Sequence, residues 1–178
     1  MEIEIIKARK KDAEAFQKVR IETWRSAYAH IFPEEVFIQQ EANLPQYIKD
    51  TPGRFKKESH YYFVALADKK VVGMLAVMLL SNYERYKAFG YADLGGIYIL
   101  PEYQGLGIGT KFFNTAIRTL VKYGATKMII GVLKDNHKAR GVYERWGGVL
   151  DDYEQPFEIS GKKYPEVFYK FEPLEYHR

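Results

Sequence analysis

The sequence predicts an α/β protein: a mixed, mostly antiparallel sheet with helices on both faces. Three observations predict it. Short strand-like runs crowd the N-terminal half. A strongly amphipathic helix, with apolar Ile108, Phe112, Ala116 and Leu120 recurring every four residues, follows a buried run. The chain then closes on a further hairpin-like pair. Strands first, then strand–helix–strand–helix, then a hairpin is the order of a layered sheet against which each helix buries its apolar stripe. A chain of 178 residues can bury one core, so a single domain over residues 1–178 is expected.

The elements follow in order. Residues 3–7 alternate as an opening strand. Asp12 can cap a helix through Phe16, Val19, Trp24 and Tyr28, whose spacing mixes three and four. Pro33 can start a second, short helix carrying Val36 and Phe37. Residues 43–59 are polar and hold Pro45, Pro52 and Gly53, which reads as a mobile connection with some helix. Runs 61–67 and 71–80 flank Asp68-Lys69-Lys70, a hairpin signal. Residues 81–90 read as a charged, aromatic loop. Residues 91–100 read as a buried strand, closed by Pro101, which has no N–H to give a ladder. The helix from Ile108 carries Phe113, Ile117 and Val121 beside its main row and ends near Gly124. A strand at 127–133 and a helix at about 137–146 follow, then a closing hairpin of 149–157 and 165–171 around Ser160-Gly161-Lys162.

Composition narrows the chemistry. No cysteine is present, which excludes disulfides, thiolate metal sites and a Cys nucleophile. Glu2 and Glu4 stand where a secretory signal needs basic residues, and the longest apolar run, 71–80, is far short of the ~20 residues that span a bilayer. A soluble, cytoplasmic protein with no membrane partner is expected. The net charge is +4, but Lys and Arg are spread without a block of five. That distribution suits a solvated surface or a small polyanion, and nucleic acid is not expected as a partner. The aromatic share of 16% serves a well-filled core, a pocket lined by Tyr hydroxyls, or both.

The most informative segment is Gln104-Gly105-Leu106-Gly107-Ile108-Gly109-Thr110, between the buried strand and the amphipathic helix. Glycines let a main chain approach a ligand closely, and the first N–H groups of a helix lack internal partners at its positive end. Together they make an anion site suited to a diphosphate. A tight turn that allows close packing uses the same glycines. The segment is neither a P-loop, because Lys111 is misplaced, nor the Gly-x-Gly-x-x-Gly dinucleotide fingerprint. No Gly-x-Ser-x-Gly elbow supports a Ser nucleophile. His30, His60 and His137 are scattered, no His/Asp/Glu set has metal-ligand spacing, and no metal is expected.

Gln-x-x-Gly-x-Gly after a strand and before a helix is the acetyl-CoA signature of the GNAT (N-acetyltransferase) superfamily. The stretch Ile97-Tyr98-Ile99-Leu100-Pro101-Glu102-Tyr103-Gln104-Gly105-Leu106-Gly107-Ile108-Gly109 resembles it at almost every position. A second signature follows, Asn136-x-x-Ala139-x-x-x-Tyr143-x-x-x-Gly147. Thr23-Trp24-Arg25-Ser26-Ala27-Tyr28 with Ile31-Phe32-Pro33, and the ending at 159–167, resemble a bacterial small-molecule branch that includes polyamine acetyltransferases.

The resemblance implies a GNAT-like fold and acetyl-CoA as co-substrate. It implies that the strand before the loop splays from its neighbour, and that main-chain groups of Ile97, Tyr98 and Ile99 pair with the pantetheine arm. The pyrophosphate then falls to the N–H groups from Gly105 to Thr110. Gly95-Gly96 fits a bulge or close approach, or simply two small residues under a helix. Asn136 hydrogen-bonds the cofactor arm by analogy, or serves as a helix N-cap. Tyr143 protonates the departing thiolate by analogy, or is a core Tyr. Relatives often place a Glu on this strand. Here Asp93 stands there, one methylene shorter, able to act through water, to bind a cationic substrate or to cap a strand end.

An amine of pKa ~10 is almost wholly protonated at neutral pH, so a base or water relay is useful. Trp24, Tyr28 and Tyr83, with Glu84 and Tyr86, can form an aromatic, partly acidic acceptor pocket, or ordinary packing and loop. The expected reaction is acetyl transfer to a primary amine of a small molecule, a polyamine first, by direct attack in a ternary complex. A non-catalytic acyl-CoA-binding regulatory module, or an enzyme acting on a protein N-terminus or a charged tRNA, are the alternatives. Relatives commonly dimerise and the closing hairpin offers an edge, so a homodimer is a further expectation.

Overall fold

The computed structural model describes residues 2–174. Its strands are β1 (Ile3–Lys7), β2 (His60–Ala67), β3 (Lys70–Met78), β4 (Ala92–Ile99), β5 (Met128–Leu133), β6 (Val149–Ile159) and β7 (Lys162–Phe171). They form one sheet in the order β1-β2-β3-β4-β5-β7-β6. Every neighbouring pair is antiparallel except β4 with β5, which is parallel. A parallel neighbour needs a crossover, and α5 (Ile108–Lys122) provides it. The antiparallel pairs β2–β3 and β6–β7 turn through left-handed residues, Asp68 and Lys69 in one and Ser160 and Gly161 in the other. That twist matches the flanking strands.

Successive residues of a strand face opposite sides of the sheet. Met74 and Ala76 of β3 lie with Gln17 and Arg20 of α1 (Ala13–Tyr28), whereas a Cβ on Gly73 would meet Phe112 of α5 at 2.9 Å. Helices therefore cover both faces, as expected. α5 buries Ile108, Phe112, Phe113, Ala116, Ile117 and Leu120, and leaves Val121 44% exposed at the edge of the stripe. α6 (His137–Arg145) is followed by Trp146, whose ring stacks on Phe113 at 4.4 Å and ties α6 to the same face.

Two connections are more ordered than their composition predicts. After α2 (Glu34–Ala42), the segment read as a mobile connection with some helix is helical over most of its length, as α3 (Leu44–Arg54), with Pro52 inside it. Buried Thr51 holds it against α1, accepting from Gln17 Nε2 at 2.8 Å and donating to the Tyr47 carbonyl at 2.7 Å. The charged loop before β4 contains α4 (Glu84–Ala88), and its Tyr86 is 1% exposed with its hydroxyl on Asp151 Oδ2 at 2.8 Å. Asp12 does not cap α1 itself. Its Oδ2 accepts from Arg9 N and Arg9 Nε at 2.8 and 3.0 Å and fixes the 3-10 turn before α1.

Candidate active site

The site begins with a defect in a strand. Ala76 of β3 pairs with Gly96 and Val77 pairs with Leu94, so Gly95 is an extra residue on β4. A Cβ there would meet Met78 Cε at 2.6 Å, a crowding that glycine avoids. A bulge bends its strand and increases its twist. Accordingly β4 pairs with β5 only at Ala92–Met128 and Asp93–Ile129. Beyond these pairs the strands part, and Ile97, Tyr98 and Ile99 face a gap on that side. This is the splay the resemblance implied.

The glycine loop lies at the end of β4. Gly105 and Gly107 have φ of 76° and 78°, a left-handed conformation that glycine adopts without strain. A Cβ built on either finds nothing within 4 Å. The need is therefore conformational, and the loop's outer surface is open. The first helical bond runs from Lys111 N to the Gly107 carbonyl at 3.1 Å. Among the described residues, the N–H groups of Gly105, Leu106, Gly107, Ile108, Gly109 and Thr110 have no acceptor. They stand at the positive end of α5, held there by the buried Ile108 side chain.

Gln104 is a strut. Its Nε2 donates to the Ile99 carbonyl at 2.9 Å, and its Oε1 accepts from Lys138 Nζ at 2.7 Å. Lys138 was not singled out by sequence. It occupies one of the unspecified positions of the second signature, and only the fold brings it to the loop.

Asn136 is the N-cap of α6, its Oδ1 accepting from Ala139 N at 3.2 Å. It is buried and lies against the Tyr28 hydroxyl, which also meets Tyr98. Tyr143 packs on Trp146 and Tyr169, each ring 5.9 Å away. Its hydroxyl has no hydrogen-bond partner among the described residues. Burial raises its pKa, and the Tyr98 phenol adds to the effect. Tyr98 lines the α1 face, close enough for its phenol to act electrostatically on that of Tyr143.

Asp93 is 2% exposed. Its Oδ2 accepts from Ser81 Oγ and Asn82 N, each at 3.2 Å. Burial pushes its carboxyl up to about 6 against the pull of those two hydrogen bonds, with nearby Glu166 adding to the rise. Glu166, on β7, was also missed. It is 5% exposed and accepts from Tyr83 hydroxyl at 2.8 Å and Gln155 Nε2 at 3.1 Å. Burial raises its pKa too. A lone carboxylate in the apolar run of β7 was the available signal.

A cleft of about 500 Å³ opens between α1, α3 and the β2–β4 face. Trp24 lines it, and so do Arg20, Tyr47, Arg54, Asn82 and Tyr98. Tyr28 instead packs on Phe32, and Tyr83 turns to Glu166. Tyr86 is in the core, and the Glu84 side chain is 87% exposed. Of the residues expected to form the acceptor pocket, Trp24 lines this cleft, whereas Tyr28 and Tyr83 lie near Tyr98, beside Asn136 and Glu166 respectively.

Comparison with known proteins agrees with this geometry. The profile of the Acetyltransferase (GNAT) family matches residues 17–148. The chain is 25% identical over 167 residues to a spermidine N(1)-acetyltransferase of Thermoplasma acidophilum, covering 92% of this chain and 99% of that one. It is 27% identical over 143 residues to an uncharacterized N-acetyltransferase of Archaeoglobus fulgidus, covering 79% and 89%. The crystal structure of PaiA N-acetyltransferase from Thermoplasma acidophilum, in complex with coenzyme A, superposes with a TM-score of 0.75 at 22% identity, covering 97% and 99%. A bulged, splayed β4 that ends in an open glycine loop, within a chain matched over most of its length, belongs to the acetyltransferase (GNAT) family and is an acetyl-CoA-dependent N-acetyltransferase.

Proposed function

We propose that the protein acetylates a primary amine of a small molecule by direct attack within a ternary complex. The observation that carries the reading is the row of unpartnered N–H groups at 105–110 beside the gap between β4 and β5. Those donors suit a diphosphate, and the Lys138 ammonium beside Gln104 adds positive charge. Bound acetyl-CoA supplies an activated acetyl group as a thioester.

The chain's own residues do the rest. Main-chain N–H groups from Gly105 to Thr110 hold the diphosphate, and those of Ile97, Tyr98 and Ile99 orient the pantetheine arm in the gap. Asn136, with its oxygen on Ala139 and its side chain against the Tyr28 hydroxyl, has only its amide nitrogen to offer the same arm. The Tyr143 hydroxyl keeps its proton at neutral pH and gives it to the departing sulfur. Asp93 is ionised above about pH 6, and its burial lets it reach the amine proton only through a relay on the Asn82 side of the cleft. Removing that proton at neutral pH costs about 4 kcal/mol, and the carboxylate lowers none of that cost but gives the proton an acceptor as the amine attacks.

A polyamine acceptor has the support of the spermidine acetyltransferase relative. The cleft lining, with Arg20, Arg54 and Lys57 and no carboxylate, supports an amine that is not a polycation. No helix among the described residues is long and apolar enough to cross a membrane, and a cytoplasmic supply of acetyl-CoA suits the reaction.

Thiol release from acetyl-CoA against a panel of amines tests the reading. Tyr143→Phe should lose about 10²-fold or more in kcat with acetyl-CoA affinity unchanged. A variant that binds acetyl-CoA normally and turns over at the parent rate removes the acid role. Normal acetyl-CoA binding with no thiol release from any amine removes the transferase reading.

A further inference from the structure

The cleft between α1, α3 and β4 carries charge for which acetyl transfer alone gives no reason. Arg20 projects from α1 with its guanidinium 5.4 Å from the Trp24 ring centre and 4.7 Å from that of Tyr47. Its Nε donates to Gln17 Oε1 at 2.8 Å and its Nη1 reaches Gln40 Oε1 at 3.5 Å. Both partners are neutral. Burial lowers the Arg20 pKa against the pull of the Tyr98 and Tyr47 phenols, and the charge of Arg54, at the end of α3, lowers it further. Lys57 and His60 extend the same wall.

Among the described residues, Arg20, Arg54 and Lys57 form no ion pair, and no Asp or Glu lines the cleft. α1 does pair charge elsewhere, against α2. Arg25, one turn and a residue beyond Arg20, meets Glu34 at 2.7 Å and Glu41 at 2.9 Å. Two neighbouring guanidiniums, one half-buried, repel each other and lose hydration when no counter-charge is supplied. An anion in the cleft removes both costs.

We propose that the acceptor amine carries an anionic group, a carboxylate or a phosphoryl group, and that Arg20 and Arg54 bind it. The proposal rests on the reading that this cleft receives the acceptor. A guanidinium fork matches the oxygens of either group, and the Trp24 and Tyr47 rings keep the Arg20 fork in one orientation. Gly95 and Tyr98 of β4 form the far wall. An anion held at the arginines therefore directs the amine of a short molecule toward the parted strands. A polycation is disfavoured by the same charges, so the cleft selects for a negative group at one end and an amine at the other.

The test uses amine pairs that differ by the anion alone: ornithine against putrescine, β-alanine against ethylamine, and 2-aminoethyl phosphate against ethanolamine. Binding to the CoA-loaded protein is read by calorimetry, and turnover by thiol release. The anionic member of at least one pair should bind tenfold or more tighter, and the carboxylate and phosphate arms tell the two groups apart. Arg54→Gln, on an exposed helix end, should weaken the anionic member about tenfold and leave the amine that lacks the anion unchanged. Arg20→Lys, which keeps charge but loses the fork, should weaken the same member. Equal or tighter binding of the amine without the anion in every pair, or of spermidine, overturns the proposal while acetyl transfer stands. So does an Arg54→Gln variant that loses both members alike. Anion-selective binding without thiol release upholds the cleft assignment and counts against the transferase reading instead.

Discussion

Asp93 shows how one residue links stability to chemistry. Its folded pKa of about 6 lies above the 3.8 of an ordinary Asp, because burial favours the neutral form. The fold therefore gains from a protonated Asp93, fully below about pH 4, and loses that gain as pH rises through 6. Ionisation in place costs about 3 kcal/mol. Asp93→Asn keeps an acceptor for Ser81 and Asn82 and should be the more stable protein by up to that amount at pH 8, with little difference at pH 4. Urea unfolding at the two pH values measures it, and a pH-independent difference would sink the argument. The same variant should lose turnover if the carboxylate receives the amine's proton. Gly107 gives a second residue-scale outcome. Its φ of 78° with open space around it means that Gly107→Ala meets strain but no clash. It should cost about 1 kcal/mol of stability and raise the KM for acetyl-CoA by redirecting the N–H groups. Gly107 was legible in the sequence because a left-handed turn leaves a glycine mark. The burial that tunes Asp93 leaves none.

At the scale of elements, α3 is the instructive case. Pro45, Pro52 and Gly53 argue against a helix, and local propensity is weak enough for tertiary packing to override. The packing is specific: the Thr51 hydroxyl satisfies the buried Gln17 amide and bonds its own helix. Thr51→Val keeps the volume but strands that amide, and should cost about 1–3 kcal/mol in chemical denaturation, with Thr51→Ser close to the parent. Because α3 carries Tyr47 and Arg54, the valine variant should also loosen the cleft wall. The opposite case is α5. Its apolar stripe recurs at helical spacing and its start is marked by glycines, so its existence was readable in advance, whereas its role as crossover followed from the β4–β5 pairing. The bulge in β4 lies between these cases. Gly95-Gly96 signalled an irregularity, but only pairing with β3 and β5 showed that it parts the sheet.

At the scale of the molecule, the seven strands among the described residues join in one sheet with helices on both faces. Trp24 reports on the α1 face, and Trp146, stacked on Phe113, on the other. A single domain should therefore lose both fluorescence signals and its far-ultraviolet dichroism at one urea midpoint. Single-tryptophan variants with separated midpoints would instead reveal two folding units. The site depends on this wholeness: β4 supplies the gap, α5 the anion loop, α6 the Tyr143 hydroxyl, and α1 with α3 the acceptor cleft.

The sequence by itself determined the layered order of strands and helices, the glycine loop and the Asn136–Tyr143 pair. The first two are written in local rules, side-chain period and left-handed glycines, and the Asn136–Tyr143 pair is carried by the resemblance of the second signature to the family's. Only the tertiary structure decided that Gln104 braces against Lys138, that Tyr83 turns to Glu166, and that the cleft is basic rather than acidic. Those contacts join residues far apart in the chain, and their charge balance depends on which groups burial deprives of water and which it leaves without a partner.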